Sequence, residues 1–221
     1  ITNRFNMGCN PHPVDAPFPW FGGKRKVAVD VWARFGAVTN YVEPFFGTGA
    51  VLFGRPDPVG TETVNDLDGY VANFWRAIQH DPVGVAQYAD HPVNEVDLHA
   101  RHIWLVQQRE TLVSQLEGDP DWYERKLAGW WVWGLCCWIG SGFCSGAGPW
   151  VLNDDRQLVH LGDNGRGVNR KLVHLGDGKR LLPWFSAIAE RLRFVRVCSG
   201  DWSRVCGPSV TFGHGLTGVF L

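Results

Sequence analysis

Three carboxylates in this 221-residue chain lie in short motifs whose residue types could bind a ligand. Glu43 opens Glu-Pro-Phe-Phe-Gly-Thr-Gly (43–49), Asp66 lies in Asn-Asp-Leu-Asp (65–68), and Asp201 lies in Gly-Asp-Trp (200–202). Glycines at 47 and 49 let backbone turn tightly and approach a ligand closely. The loop lacks the third glycine of a GxGxxG dinucleotide fingerprint. Asp66 nevertheless follows Gly47 by about 20 residues, the spacing at which an acidic side chain grips ribose hydroxyls. Upstream, Phe-Pro-Trp-Phe-Gly-Gly-Lys (18–24) sets Trp20 and Phe21 against Gly22, Gly23 and Lys24. A hydrophobic core does not need those glycines, and a solvated loop does not need those rings. A small ligand with a flat ring and a charged end uses both. Taken singly, each residue also has a plainer reading: a surface lysine for Lys24, a helix cap for Asp66, a turn carboxylate for Asp201.

The pattern along the chain supplies elements to hold these groups. Val27, Val31, Trp32 and Phe35 recur at helical spacing over 24–36 and stop at Gly36. A short strand over 41–44 closes at Pro44, the glycine loop follows, and a helix starts near Ala50. Residues 62–65 suit a second strand. Residues 68–80 suit a helix with Val71, Phe74, Trp75 and Ile78 on one face. Strand, glycine loop, helix, strand, helix is the opening of a doubly wound parallel α/β sheet, whose ligands sit at the carboxyl ends of its strands. A helix from Val96 to Leu116 is expected within mixed, charged sequence. Residues 126–150 are aromatic first and glycine-rich later, so only their first half suits a buried helix. Gln-Leu-Val-His-Leu-Gly-Asp (157–163) recurs as Lys-Leu-Val-His-Leu-Gly-Asp (171–177), too few copies for a solenoid and best read as two strands joined by a basic loop. A helix over 181–192, a strand over 194–198 and a last apolar strand over 217–221 complete the chain.

Composition sets limits. Hydrophobic residues make up 45% and charged residues 19%, enough for a sizeable core. Net charge is −1, so contact with nucleic acid must come from local patches. Twelve tryptophans favour a stacking or interface surface. The six cysteines form no CxxC pair and no histidine stands at zinc-finger spacing, so they read as reduced, buried thiols of a cytoplasmic protein with no metal site. No apolar run is long enough to span a membrane, and no signal-peptide pattern opens the chain.

In order, FPWFGGK, YVEPFFGTGAV, VNDLD, a long insert and CSGDW resemble the DNA adenine-N6 methyltransferases that carry a DPPY motif (the Dam-like group), arranged with the target-recognition region between the cofactor motifs and DPPY. The resemblance covers roughly residues 17–221 and rests on the joint occurrence of the motifs. It implies a Rossmann-like methyltransferase sheet, S-adenosyl-L-methionine as cofactor and double-stranded DNA as partner. It also implies a monomeric phage or prophage relative in the setting of DNA methylation and restriction–modification. Residues 1–16 would form an arm, 17–80 the cofactor-binding part, 81–180 the inserted recognition region, and 181–221 the return to the sheet. By the same resemblance Trp20 and Lys24 flank the methionine part of the cofactor, with Lys24 near its carboxylate, and Gly22 and Gly23 admit close backbone approach. Glu43, Phe45, Gly47 and Gly49 border the cofactor, Asp66 takes the ribose hydroxyls, and Asp201 borders the adenine.

The chain departs from the family at its chemical centre. DPPY is expected just after Leu221, and no Asp-Pro-Pro-Tyr occurs anywhere in the sequence. The Asp side chain and Pro carbonyl of that motif accept hydrogen bonds from the exocyclic amine of adenine, and its Tyr stacks on the flipped base. The expectation is a partial chain with most of a cofactor site and no catalytic residue. The alternative is an inactive fragment that binds the cofactor or DNA. In the insert, Trp138, Ser141 and Phe143 resemble the family's DNA-facing hairpin, and Arg166, Arg170, Lys171, Lys179 and Arg180 form a cationic stretch suited to phosphates. A nucleotide-dependent oxidoreductase and a Trp-rich carbohydrate-binding module fit the FGGK element and the glycine loop less well.

Overall fold

The computed structural model describes residues 14–20, 22–57, 60–139, 142–144, 150–153, 155, 158–160, 168 and 181–221. Four parallel strands form the main sheet: β1 (Asn40–Glu43), β2 (Thr61–Asp66), β5 (Arg196–Ser199) and β6 (Thr217–Val219), in the order β5-β2-β1-β6. All four residues of β1 are buried. Its Val42 pairs with Thr63 of β2 on one side and with Val219 of β6 on the other. The chain order therefore runs outward from β1 through β2 to β5 and then jumps to β6 across β1. That reversal opens a crevice above the carboxyl ends of β1 and β6, where doubly wound sheets bind ligands. The fold is α/β and Rossmann-like, as the strand–loop–helix order predicts.

The helices follow their capping chemistry. α1 (Ala28–Phe35) begins later than its apolar spacing suggests, because Lys24 to Val27 is a turn with Val27 N–H on the Lys24 carbonyl. α2 (Ala50–Phe53) is a single buried turn after the glycine loop. α3 (Gly69–His80) is capped by Asp68, which accepts from Tyr70 N–H at 2.8 Å, and buries Val71, Phe74, Trp75 and Ile78. α4 (Pro82–Ala89) is absent from the sequence-based expectation. Its signal is Asp81-Pro82, a cap followed by a proline at the first helical position, and Asp81 accepts from Gly84 N–H at 2.8 Å. α5 (Glu95–Gly118) starts on an Asn94 cap, and α6 (Arg125–Cys137) is buried on nearly every side. α7 (Leu181–Leu192) matches its expected bounds. β5 starts two residues late because Val195 N–H still closes the end of α7 on Leu192, leaving Phe194 exposed. The turns α8 (Ser203–Cys206) and α9 (Pro208–Thr211) connect β5 to β6.

One apolar cluster joins sheet and helices. Its centre is aromatic: Phe18 meets Phe74 at 5.2 Å and Trp131 of α6 at 5.0 Å, both edge-on. The segment before the FGGK element is thus anchored in the core. At the far side of β2, buried Glu62 bonds Arg55 at 2.9 Å and Arg191 through two contacts of 2.6 and 2.7 Å, which ties α7 to the sheet.

β4 (Leu158–His160), from the first copy of the repeat, pairs antiparallel with β3 (Trp150–Leu152). Residues 171–177 lie outside the described residues, as do Ser141, Arg166, Arg170, Lys171, Lys179 and Arg180. Among the described residues no helix is long and apolar enough to cross a membrane.

Candidate cofactor site

The crevice at the switch point holds a cavity of about 300 Å³. Its walls are Trp20, Gly22, Gly23 and Lys24 from the FGGK element, Glu43 to Ala50 without Pro44 and Gly49, and Phe220 and Leu221 beyond β6. The sequence places Glu43, Gly47 and Lys24 together, and so does the fold.

Gly47 is the hinge of the arrangement. Its φ is +46°, and a Cβ there would come within 3.1 Å of the Trp20 ring, so a side chain would both strain the backbone and crowd the indole. Its peptide is held from both sides. The Gly47 N–H donates to Asp66 Oδ2 at 2.8 Å, and the Gly47 carbonyl accepts from the Trp75 indole at 3.0 Å. Gly49, at φ +70°, starts α2, and a Cβ there would strike the Phe46 and Phe53 rings. Sequence reading places Trp75 on the core stripe of α3 and misses this bond, because helical spacing reports burial and not which polar atom an indole meets.

The electrostatics favour a cationic group. Glu43 is only 2% exposed and accepts from Tyr41 Oη at 2.8 Å. Burial pushes its carboxyl up to about 8, against the lowering effect of the Tyr41 hydroxyl, the Leu52 N–H and the charge of Lys24. Lys24 itself donates to the Gly22 carbonyl at 2.7 Å, so its ammonium stays with its own loop at the cavity wall. Asp66 is raised as well, chiefly by burial. Its Oδ1 accepts from Asp68 N–H at 3.0 Å. Each of its oxygens keeps acceptor capacity for a ligand hydroxyl.

Asp66 also opens a second cavity, of about 380 Å³, between the start of α3 and the α5 residues Arg109, Leu112 and Val113. The long helix α5, within the expected 81–180 insert, walls this cavity. Asp201 sits apart from both cavities. It is exposed, and it accepts from the backbone N–H and hydroxyl of Ser203, which lower its carboxyl below the ordinary range. Its neighbour Trp202 lies 6.3 Å from Phe45, and the two rings are 47% and 59% exposed.

Trp138 and Phe143 are not at a surface. Both are 7% exposed and close on buried His102, Trp138 edge-on at 4.6 Å and Phe143 stacked at 5.0 Å. An aromatic and glycine-rich stretch carries no mark that separates a DNA-facing hairpin from rings turned inward onto a histidine of another helix.

Residues 20–109 match the family model of the D12 class N6 adenine-specific DNA methyltransferases. The matched stretch holds most of the FGGK element, the glycine loop, Asp66 and the first part of α5, and it stops before Asp201. A comparison with curated proteins gives no match.

The raised carboxyl of Glu43 has a direct consequence. Its protonated form is favoured in the folded state, so its contribution to stability is complete below the unfolded value of 4.5 and is lost as pH rises through about 8. Glu43→Gln should abolish that loss. Unfolding free energies from urea titrations at about pH 5 and about pH 9 should converge for the variant and diverge for the unaltered chain by a few kcal/mol. Equal pH dependence in both would contradict the assignment.

Proposed function

We propose that this chain is the cofactor-binding portion of a site-specific DNA adenine-N6 methyltransferase and binds S-adenosyl-L-methionine in the crevice whose Gly47 wall Asp66 braces. One observation carries the reading. The cavity at the β1/β6 switch point brings a lysine, a buried carboxyl and a positive-φ glycine loop together, within residues that match the family. Lys24 holds the carboxylate of the methionine part and Glu43 meets its ammonium. Asp66 accepts from the ribose hydroxyls, while Phe45 and Trp202 offer faces to the adenine, with Asp201 beside them.

The cofactor would supply an electrophilic methyl group on a sulfonium. The residues named above bind and orient it. None supplies the acceptor pair that DPPY provides for the adenine amine, and that motif is absent from these 221 residues. The reading therefore extends to a chain that binds cofactor and does not itself transfer the methyl group. An oxidoreductase reading is weaker, because the loop lacks the third glycine and the FGGK wall places a cation suited to a carboxylate.

Calorimetry tests the cofactor. S-adenosylmethionine should bind, and Asp66→Ala should weaken it by about 1–3 kcal/mol, or roughly fivefold to 150-fold, by leaving hydroxyls unpaired and the Gly47 N–H unbraced. A folded sample giving no heat at millimolar ligand would sink the reading. Tritium transfer from labelled cofactor to DNA should stay at background; clear turnover would mean that another acceptor pair replaces DPPY.

For DNA we propose that the insert, residues 126–180, meets the duplex. The carboxylates of Asp66 and Asp201 at the sheet's carboxyl edge repel phosphate. Trp138 and Phe143 then serve as the packed base of the hairpin and not as stacking rings. Arg166→Ala combined with Arg170→Ala should lower affinity for all sequences alike. It should also reduce the log–log salt slope by roughly 0.9 for each phosphate no longer neutralised. An unchanged slope and affinity would remove these arginines from the interface.

A further inference from the structure

The side chain of Asn65 lies at the meeting point of three loops. It is 1% exposed. Its Nδ2 donates to the Pro44 carbonyl at 3.1 Å and to the Gly200 carbonyl at 2.9 Å. Pro44 belongs to the loop after β1, and Gly200 to the loop after β5. The backbone adds two links at the same place: Phe46 N–H donates to the Asn65 carbonyl at 2.8 Å, and Gly200 N–H donates to the Asp66 carbonyl at 3.1 Å.

Two carbonyl oxygens facing one nitrogen demand an NH₂ group. A short planar carboxamide supplies both donors from one atom. Aspartate offers none, serine one, and glutamine places them a methylene farther out. Gly200 has φ +131°, a conformation that a side chain would strain. The carboxamide is therefore the fixed distance between the glycine loop and the Asp201–Trp202 turn.

We propose that Asn65 is a positioning residue that sets the spacing between the methionine end and the adenine end of the cofactor cleft. This rests on the cofactor reading above. The residue does not touch the ligand; it acts through the Pro44 and Gly200 carbonyls on loops that do. Its loss frees the two ends to move independently. A ligand that bridges both ends then loses affinity, while one that fills only the adenosine end keeps it.

That difference separates positioning from ordinary structural support. Asn40, at the opposite end of the same sheet, is the control: it too is buried, and its Nδ2 donates to the Val210 carbonyl at 2.8 Å and to Thr217 Oγ1 at 3.0 Å. Calorimetry should compare S-adenosylhomocysteine, which spans the cleft, with 5′-methylthioadenosine, which lacks the amino-acid end. Asn65→Ser should weaken the spanning ligand tenfold or more and the short one less than threefold. Asn40→Ser should leave both affinities within threefold, though it lowers the melting temperature. Equal weakening of both ligands by Asn65→Ser, or the same selective loss in Asn40→Ser, would overturn the inference. Absence of binding by the unaltered chain would remove the cofactor reading itself. Hydrogen exchange in the unaltered chain gives a second arm that needs no substitution. S-adenosylhomocysteine should slow exchange of the Asn65 carboxamide, and 5′-methylthioadenosine should not; equal slowing by both would contradict the proposal.

Discussion

The structure of the site depends on how one peptide unit is held. Gly47 takes a conformation that costs a side chain energy, and its N–H and carbonyl are fixed by Asp66 and Trp75. Asp66 ends β2 and Trp75 lies on α3, so strand, helix and loop are locked to one another at this residue. The indole of Trp20 then has a flat backbone to lie on, and the FGGK element gains a defined place over the crevice. Remove the glycine conformation and the aromatic wall loses its seat; remove Asp66 and the loop loses half its brace. A carboxylate that braces the loop and still has acceptors to spare can sense a ligand and transmit it to the backbone in a single step.

The charges of the crevice follow from burial. Glu43 and Asp66 both lie in poorly solvated space, and the charge of Asp66 adds to the cost of ionising Glu43. Lys24 relieves Glu43 in part, from an exposed position. The site is thus short of positive charge, and a zwitterion with an added sulfonium fits that deficit better than a nucleotide phosphate does. DNA phosphates face the same deficit as repulsion. The proposed division of labour follows from this: cofactor at the sheet, polyanion elsewhere.

Much of this is legible in sequence because strand ends are short and punctuated. Pro44 closes β1, the glycines at 47 and 49 mark the turn, and Asp66 ends a run of β-favouring residues. Lys24, Glu43 and Gly47 can therefore be named together without coordinates, whereas Asp201 lies outside both cavities. What sequence does not reveal is held by partners distant along the chain. Trp75 has the spacing of a core residue of α3, which it also is. Asn65 stands beside a more conspicuous acid. Trp138 and Phe143 have the composition of a nucleic-acid surface, and only the packing of α5 and α6 reveals that His102 receives them. α4 is hidden because its cap and proline, Asp81-Pro82, end the preceding helix as convincingly as they start the next.

The central claim is that cofactor enters the crevice between the FGGK element and the Gly47 loop. The indole N–H groups of Trp20 and Trp75 report on it directly, the first against the Gly47 loop and the second bonded to its carbonyl. Trp104 and Trp130, which pack against each other across α5 and α6, serve as internal references. In ¹⁵N-resolved spectra titrated with S-adenosylhomocysteine, the Trp20 and Trp75 indole resonances should shift together with one saturation curve while those of Trp104 and Trp130 stay in place. Saturable binding that leaves Trp20 and Trp75 unmoved would place the ligand elsewhere and contradict the account.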